Sequence, residues 1–366
     1  MNLEIKDFKT NCQNSNFKIS LCMPTYNRGK LAYFNVKHII KNLKSNWELV
    51  VLNNGSCNEE DYYKKINNIS NKIENVNYIS KPQNTEFVGN FIDSFKYSTG
   101  KYIIFVSDED RFNFKNFTNF IKFLDENPDL AAIRPSISKA KGLKIQNAFK
   151  KENRIFDKGY DAIVNFSLWN SYLTGMVYNR EKVIDLGLLK KLEKRFVKNR
   201  FYPHVYLDML ISAKCRVANS SISIATEGKA QNIKTGNLKE VFDDWENYCG
   251  PYTFGSRLDQ FIVERDGLYE ATCLINNEFN TDIFFNAYLQ LCVKFLRNVL
   301  VANMPMYEKH DIDIFYLNET AYQFLISSVR NYKNFEFYSK VLSSEIRRIS
   351  KIFLKLYLDS KKQKFT

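Results

Sequence analysis

Lys101-Tyr-Ile-Ile-Phe-Val-Ser-Asp-Glu-Asp110 decides the reading of this chain. An apolar run of Tyr, Ile, Ile, Phe and Val, preceded by Gly100, has the composition of a strand buried on both faces of a parallel sheet. It ends abruptly in three acids, Asp108, Glu109 and Asp110. Open α/β sheets bind ligands beyond the carboxyl ends of their strands, which is where these acids fall. Carboxylates this close repel one another and are tolerated when well solvated or when a cation sits between them. Hard oxygen ligands with positions left for phosphate oxygens suit Mg2+ or Mn2+. Taken alone, Asp-x-Asp favours the plainer reading of an acidic turn after a strand.

The surrounding third of the chain changes that balance. Phe17 to Arg28 reads as a strand running into a loop, Glu48 to Ser56 as a second, and Val76 to Ser80 as a third strand. Helix-like stretches at Leu31–Leu43, Glu59–Ile73 and Phe87–Tyr97 separate them. Alternating strands and helices predict a mostly parallel, helix-covered sheet.

Three segments in this order and spacing, "MPTYNR" at 23–28, "LNNGSCNEE" at 52–60 and "GKYIIFVSDED" at 100–110, resemble the family 2 glycosyltransferases of GT-A fold, bacterial surface-polysaccharide type. The likeness spans roughly the first 140 residues; each segment is weak alone and the ordered set is fairly specific. It implies an α/β fold with a Rossmann-like, mostly parallel sheet flanked by helices, and a nucleotide-sugar donor, a UDP-sugar first among them. It also implies Asp110 as a direct ligand of Mn2+ or Mg2+, with Asp108 facing the ribose or the metal through water. Glu109 is expected on the opposite side, if strand alternation persists.

Under the same likeness, Pro24 and Thr25 offer backbone groups to a base or ribose, Tyr26 stacks on a base, and Arg28 reaches a phosphate. An ordinary strand–turn–helix junction is the plainer account of these four. Asn53 and Asn54 stand where the family has two acids. An Asn carbonyl still accepts from a ring N–H and its amide donates, so the change weakens the uridine expectation without removing nucleotide binding. Asn84 and Asn90 fall where the family loop approaches the ribose and diphosphate; a polar helix start explains them equally well.

Inverting transfer requires a base near the acceptor hydroxyl. The family's Glu-Asp pair after the acceptor strand is missing here; the chain reads Arg200-Phe-Tyr-Pro-His-Val-Tyr-Leu-Asp-Met-Leu210. Pro203 suits a first helical turn, which makes His204 and Asp208 i,i+4 neighbours on one face. They can form a His–Asp couple with Asp208 the preferred base, His204 can be a third metal ligand, or the two can be a satisfied surface pair. His38 and His310 earn no role. Arg257 can reach a diphosphate, although a surface Arg beside a capping Ser256 is the plainer account.

Residues 1–16 read as a loose polar leader. Residues 17–229 form the glycosyltransferase domain, with a nucleotide-binding half over 17–135 and an acceptor half over 136–229. Residues 230–366 lose the strand pattern and read as a helical C-terminal region, with periodic stretches at Phe254–Ile275, Asp282–Val301 and Thr320–Arg348 and a turn at Gly250-Pro251. No leader peptide and no membrane span is legible. Seven scattered cysteines without a Cys-x-x-Cys pair argue against zinc and a disulfide framework, and for a cytoplasmic setting.

The net charge of +13 calls for a reason. No nucleic-acid signature accompanies it, so nucleic acid is not an expected partner. In Leu342–Leu358 apolar residues recur at helical spacing beside Arg347, Arg348, Lys351 and Lys355, a pattern that permits peripheral contact with the inner face of the membrane or simple packing on the domain. The expectation is an inverting, metal-dependent transferase acting on a bacterial envelope glycan or lipid-linked acceptor. A non-catalytic glycan-binding or scaffold protein, or a nucleotidyltransferase, are the alternatives. The last normally has a glycine-rich first loop, where this chain has Pro24-Thr25-Tyr26.

Overall fold

The computed structural model describes residues 17–139, 145–146, 152–167, 172–196, 203–228 and 254–292. The leader, the Gly250-Pro251 turn, the Thr320–Arg348 stretch, the basic helix at 342–358, His310 and the side chains of Ser256 and Arg257 lie outside the described residues. The chain divides into two compact units, Met1–Lys234 and Thr235–Thr366.

The first unit opens with the β/α alternation read from the sequence: β1 (Ile19–Thr25), α1 (Gly29–Ile40), β2 (Trp47–Asn53), α2 (Glu60–Ser70), β3 (Val76–Ser80), α3 (Glu86–Tyr97) and β4 (Tyr102–Phe105). There follow β5 (Arg111–Phe112), α4 (Phe117–Glu126), β6 (Ala132–Lys139), β7 (Ile145–Gln146) and β8 (Arg154–Phe156). Next come β9 (Val177–Asn179), α5 (Arg180–Asp185), α6 (Leu188–Phe196), α7 (Pro203–Lys214) and β10 (Val217–Glu227). All ten strands join one sheet, ordered β3-β2-β1-β4-β9-β6-β10-β5, with β7 on β6 and β8 on β10.

β1 lies parallel between β2 and β4, and β2 pairs parallel with β3. Every residue of β2 and β4 is buried, as sheets covered by helices on both faces require. β9 enters antiparallel between β4 and β6, and β6 then pairs parallel with β10. The α/β expectation, GT-A in its element order, is therefore met.

Chain order reverses about β1, whose two neighbours are β2 and β4. A crevice is expected at the carboxyl ends of the strands at such a switch point. Pro24 helps to open it. Pairing of β1 with β4 ends at Cys22 opposite Phe105, so the missing N–H of Pro24 falls where no ladder bond to β4 is made.

The opposite end of these strands is knotted by a buried carboxylate. Glu48 accepts from the Ser20 hydroxyl, from the Thr99 N–H at 2.6 Å, from the Gly100 N–H at 3.2 Å and from Asn77 Nδ2 at 3.1 Å. One side chain thus fixes the relative heights of β1, β2, β3 and the entry to β4, and with them the level at which the loops of the crevice leave the sheet.

The second unit contains a long helix, α8 (Phe254–Phe279), followed by helix from residue 284 to 292. Tyr269 packs on Phe285 and Tyr288, with ring centroids 6.3 and 5.8 Å apart, and Leu268, Ala271, Ile275, Ala287 and Leu291 are buried. No helix among the described residues is long and apolar enough to cross a membrane.

Candidate active site

A cleft of about 470 Å3 opens at the switch point. Pro24, Thr25, Tyr26, Arg28, Asn54, Asn84, Asn90, Asp108 and Asp110, which the sequence pointed to one by one, all line it. Glu86, Phe87, Ser107, Glu109, Tyr172, Leu173 and Thr174 complete the lining.

The acids sit in a turn rather than on a strand. β4 ends at Phe105, and the Asp110 N–H donates back to the Ser107 carbonyl at 3.2 Å. Side-chain alternation lapses there, so Glu109 lines the same cleft as its neighbours, which corrects the expectation that it faces away. Asn35, buried on α1, holds the turn from below through Nδ2, which donates to the carbonyls of Ser107 at 3.1 Å and Asp110 at 2.7 Å.

Asp108 is 3% exposed. Its Oδ2 accepts from Thr25 Oγ1 at 2.8 Å and its Oδ1 from Arg28 Nη1 at 3.1 Å. Thr25 has a single proton and gives it to the carboxylate, so Tyr63 is the donor in the 2.9 Å contact between its hydroxyl and Thr25 Oγ1. The Tyr63 oxygen in turn accepts the Arg28 N–H at 3.1 Å. Burial raises the Asp108 carboxyl above its ordinary range, and Arg28 and Thr25 pull against that shift. Arg28 Nη1 also donates to Glu109 Oε2 at 2.8 Å, so one guanidinium answers two acids.

Asp110 ties in the acceptor half. Its Oδ1 accepts from the Tyr172 hydroxyl at 2.6 Å and from the Gly228 N–H at 2.7 Å, and its Oδ2 accepts from the Thr174 hydroxyl. Gly228, directly after β10, has to be glycine: a Cβ there would stand 2.0 Å from the Glu109 carbonyl oxygen.

By donor chemistry this pair suits a hard divalent cation. Oδ1 and Oδ2 of Asp108 and Oδ2 of Asp110 each accept one hydrogen bond, and a carboxylate oxygen has two lone pairs. Three hard oxygen positions therefore remain on residues of the cleft, with the other coordination places open to phosphate and water. Among the described residues no group of three or more His, Cys, Asp or Glu is placed to hold a metal ion, so His204 as third ligand is set aside.

Asn54 and Asn84, in the loops after β2 and β3, are consumed structurally. Asn54 is 3% exposed; its Nδ2 donates to Asn84 Oδ1 at 2.8 Å and to the Glu86 carbonyl at 2.9 Å. Its Oδ1 accepts from the Thr85 N–H at 3.1 Å and the Thr85 hydroxyl at 3.0 Å. Asn84 Oδ1 also takes the Glu86 N–H at 2.8 Å. The two amides clamp Glu86 in a left-handed conformation, φ 60°, uncommon for a residue with a Cβ. Asn54 thus shapes the loop and has no spare donor with which to read a base. Asn90 is 3% exposed and gives its Nδ2 to the Leu52 carbonyl at 3.1 Å, while its Oδ1 has no hydrogen-bond partner among the described residues.

Asp208 is not a residue of the cleft. It is fully buried, its Oδ2 paired with Arg134 and its Oδ1 accepting from the Tyr178 hydroxyl at 2.7 Å. Burial raises its carboxyl to about 7, against the pull of Arg134 and Tyr178. Both oxygens are engaged away from any acceptor, which corrects its assignment as base and removes the His–Asp couple. His204, one turn earlier on α7, is 2% exposed and packs edge-on against Phe87, centroids 6.5 Å apart, with Phe91 at 6.4 Å. Phe87 is a lining residue of the cleft and 39% exposed.

Sequence reasoning missed Tyr63, Tyr172, Thr174 and Phe87. Tyr172 and Thr174 had a signal, being polar groups inside an otherwise apolar segment before β9. Tyr63 had none, because a Tyr on the buried face of a helix reads as core.

An α/β sheet with an acid-bearing turn after β4, in a cleft beside an arginine, agrees with a glycosyltransferase, the class that the family match gives. Residues 20–187 match the family described as Glycosyl transferase family 2. No sequence among curated proteins matches the chain. Solved structures of S. aureus TarS 1-349 share the fold over nearly the whole length. The complex with UDP-GlcNAc has TM-score 0.59 at 14% identity, covering 94% of this chain and 92% of that one. TarS 1-349 alone, TM-score 0.57, and its complex with UDP, TM-score 0.55, have the same identity and coverage. At that identity the likeness speaks to fold.

Proposed function

We propose that this glycosyltransferase inverts the anomeric centre of a nucleotide-diphosphate sugar and transfers the sugar to a bacterial envelope glycan or lipid-linked acceptor at the inner face of the cytoplasmic membrane. The single observation that carries this is the meeting of Asp108, Asp110, Thr25 and Arg28 at one switch-point cleft. The catalytic domain is residues 17–229, with the donor held by 17–135 and the acceptor met by 136–229. A UDP-sugar is the first donor to test, because S. aureus TarS 1-349 has been solved with UDP-GlcNAc.

Asp108 and Asp110 would hold Mn2+ or Mg2+, which neutralises the diphosphate leaving group when bound. Arg28 adds a cation that is always charged and shares the load at the same end of the cleft. Thr25 orients Asp108, and Tyr26 and Pro24 offer a ring and a backbone edge to the base. Asn90 Oδ1 is a buried acceptor suited to a ribose hydroxyl or a ring N–H. Asn54 and Asn84 serve by fixing the loop that carries Glu86 and Phe87.

In the transfer, the bond between the anomeric carbon and the phosphate oxygen breaks as the acceptor oxygen bonds to that carbon. The acceptor proton goes to a base, and the diphosphate leaves with the electron pair. His204 is the base under this reading, reached when Phe87 turns aside. A neutral imidazole is matched to proton transfer near neutral pH.

Hydrolysis of a panel of nucleotide-sugars with and without Mn2+, on wild type and Asp110→Ala, tests the proposal. Turnover that requires both the ion and Asp110 supports it. Nucleotide binding that is equal in both proteins, with and without the ion, and no turnover of any donor would sink it in favour of a non-catalytic glycan-binding role.

A further inference from the structure

The first unit carries a basic, aromatic surface that the chemistry of the cleft does not use. From Gly29 to Trp47, through α1 and the turn after it, the sequence contains Lys30, Lys37, Lys41 and Lys44 and not a single Asp or Glu. Lys30, Phe34, Lys37 and Lys41 recur at intervals of four, three and four residues, and all four are exposed. They form one outward stripe, because that spacing keeps residues on one side of a helix.

Phe34 sits in the middle of the stripe with 48% of its surface exposed, among the most exposed large apolar side chains described. It leans edge-on against Tyr33, ring centroids 5.5 Å apart. α2 adds Lys65, whose ammonium stands 4.6 Å from the Tyr62 ring centroid and 5.8 Å from that of Tyr33. Lys37 approaches Tyr33 from the other side at 5.7 Å. None of Lys30, Lys37, Lys41, Lys44 or Lys65 has an acidic partner among the described residues, whereas Lys18, Lys81 and Lys96 of the same unit are paired with Asp125, Asp93 and Glu193. At the start of the neighbouring helix Asp61 lies beside Lys64, Glu59 accepts the Lys30 N–H, and Glu60 is exposed.

We infer that the α1–α2 face, with Phe34 as its apolar centre and Lys37, Lys41 and Lys65 around it, docks this domain on an anionic lipid surface. Two features select a bilayer over a soluble polyanion. An exposed phenyl ring gains by entering the boundary between headgroups and acyl chains, and lysines with long stems reach back from that depth to anionic headgroups. The aromatic neighbours hold Lys37 and Lys65 over ring faces rather than in ion pairs, so no acid has to be displaced when the surface engages. α1 begins one residue after Arg28, so a domain lying on this face keeps its cleft beside the membrane plane, where a lipid-linked acceptor would be presented. The docking surface stands apart from the donor-binding reading and would hold for any activity of the cleft.

The experiment is co-sedimentation of the full chain with vesicles of phosphatidylcholine alone or mixed with phosphatidylglycerol. The wild type should bind the mixed vesicles only, and less as salt is raised. Each lysine near an anionic surface contributes about a fivefold gain in partitioning, so the double reversal Lys37→Glu/Lys41→Glu should weaken binding by at least about 25-fold. Phe34→Ser should weaken it while leaving the salt dependence intact. The substituted side chains are exposed, and thermal unfolding matched to wild type verifies that the variants are folded. Three results overturn the inference: no binding of the wild type to mixed vesicles, binding by the charge-reversed variant equal to wild type, or single-stranded DNA bound through the same lysines when vesicles are not.

Discussion

The Arg28 guanidinium stands 3.1 Å from Asp108 and 2.8 Å from Glu109, so a single side chain at the end of β1 balances two of the three acids at the end of β4. Removing it leaves a buried carboxylate short of its counter-charge. Arg28→Ala should weaken nucleoside diphosphate binding by about tenfold to a hundredfold, the range of a charge-assisted hydrogen bond. Titration calorimetry with UDP and GDP measures it. Arg28→Lys should recover only part of the loss, since a shorter, point-charge ammonium does not reproduce the position of the Nη1 that meets both acids.

Asp110 joins two tasks, the grip on a cation and the tie to Tyr172, Thr174 and Gly228. Asp110→Asn should lower turnover by several kcal/mol, on the order of a thousandfold, and make residual activity indifferent to Mn2+. Tyr172→Phe breaks one tie and leaves the acid in place. It should keep metal dependence with a loss of no more than about tenfold, read from a Mn2+ titration of donor hydrolysis.

Asn54 gives both amide protons to the loop that carries Glu86. Restoring an acid there, Asn54→Asp, would withdraw the amide donor that Asn54 gives to Asn84 Oδ1 and to the Glu86 carbonyl. Stability should fall by about 1–3 kcal/mol in urea denaturation, and preference for uridine nucleotides should not increase. A tighter and selective uridine site in that variant would show that the asparagine reads the base after all.

Asp208 is a structural acid, and its removal should act on folding. Asp208→Asn turns one of the two acceptor oxygens that face Arg134 and Tyr178 into an NH2 donor and should cost about 1–3 kcal/mol. The wild-type carboxyl is raised to about 7 by burial. A carboxyl whose folded pKa exceeds its unfolded value holds its proton more tightly in the folded chain. Its stabilising contribution is therefore full below the unfolded value near 4 and is lost as pH rises through 7. Denaturant midpoints between pH 5 and 8 should fall with pH in wild type, and this component of the fall should be absent in Asp208→Asn.

His204→Ala separates the base from the scaffold. Turnover should drop about a hundredfold to ten-thousandfold with nucleotide affinity unchanged. Phe87→Ala, which uncovers the imidazole, should change the KM for acceptor more than the affinity for donor.

Local pattern carried much of this molecule. Strand and helix alternation, the burial of β2 and β4, and the position of Asp108 and Asp110 at a strand end all follow from apolar runs and their boundaries, because burial on two faces imposes its own composition on a short segment. What pattern could not carry was partnership across the sheet. Asp208 sits at helical spacing from His204, yet its partners are Arg134 and Tyr178, 74 and 30 residues away in sequence. Glu109 turned into the cleft because the chain left strand geometry after Phe105 and met Arg28. Asn54 became a clamp because the loop at 84–86 closes over it. The sequence by itself determined which segments are buried and where the strands end. Tertiary structure alone decided which polar groups satisfy each other, since a hydrogen bond depends on distance in space and leaves no period along the chain.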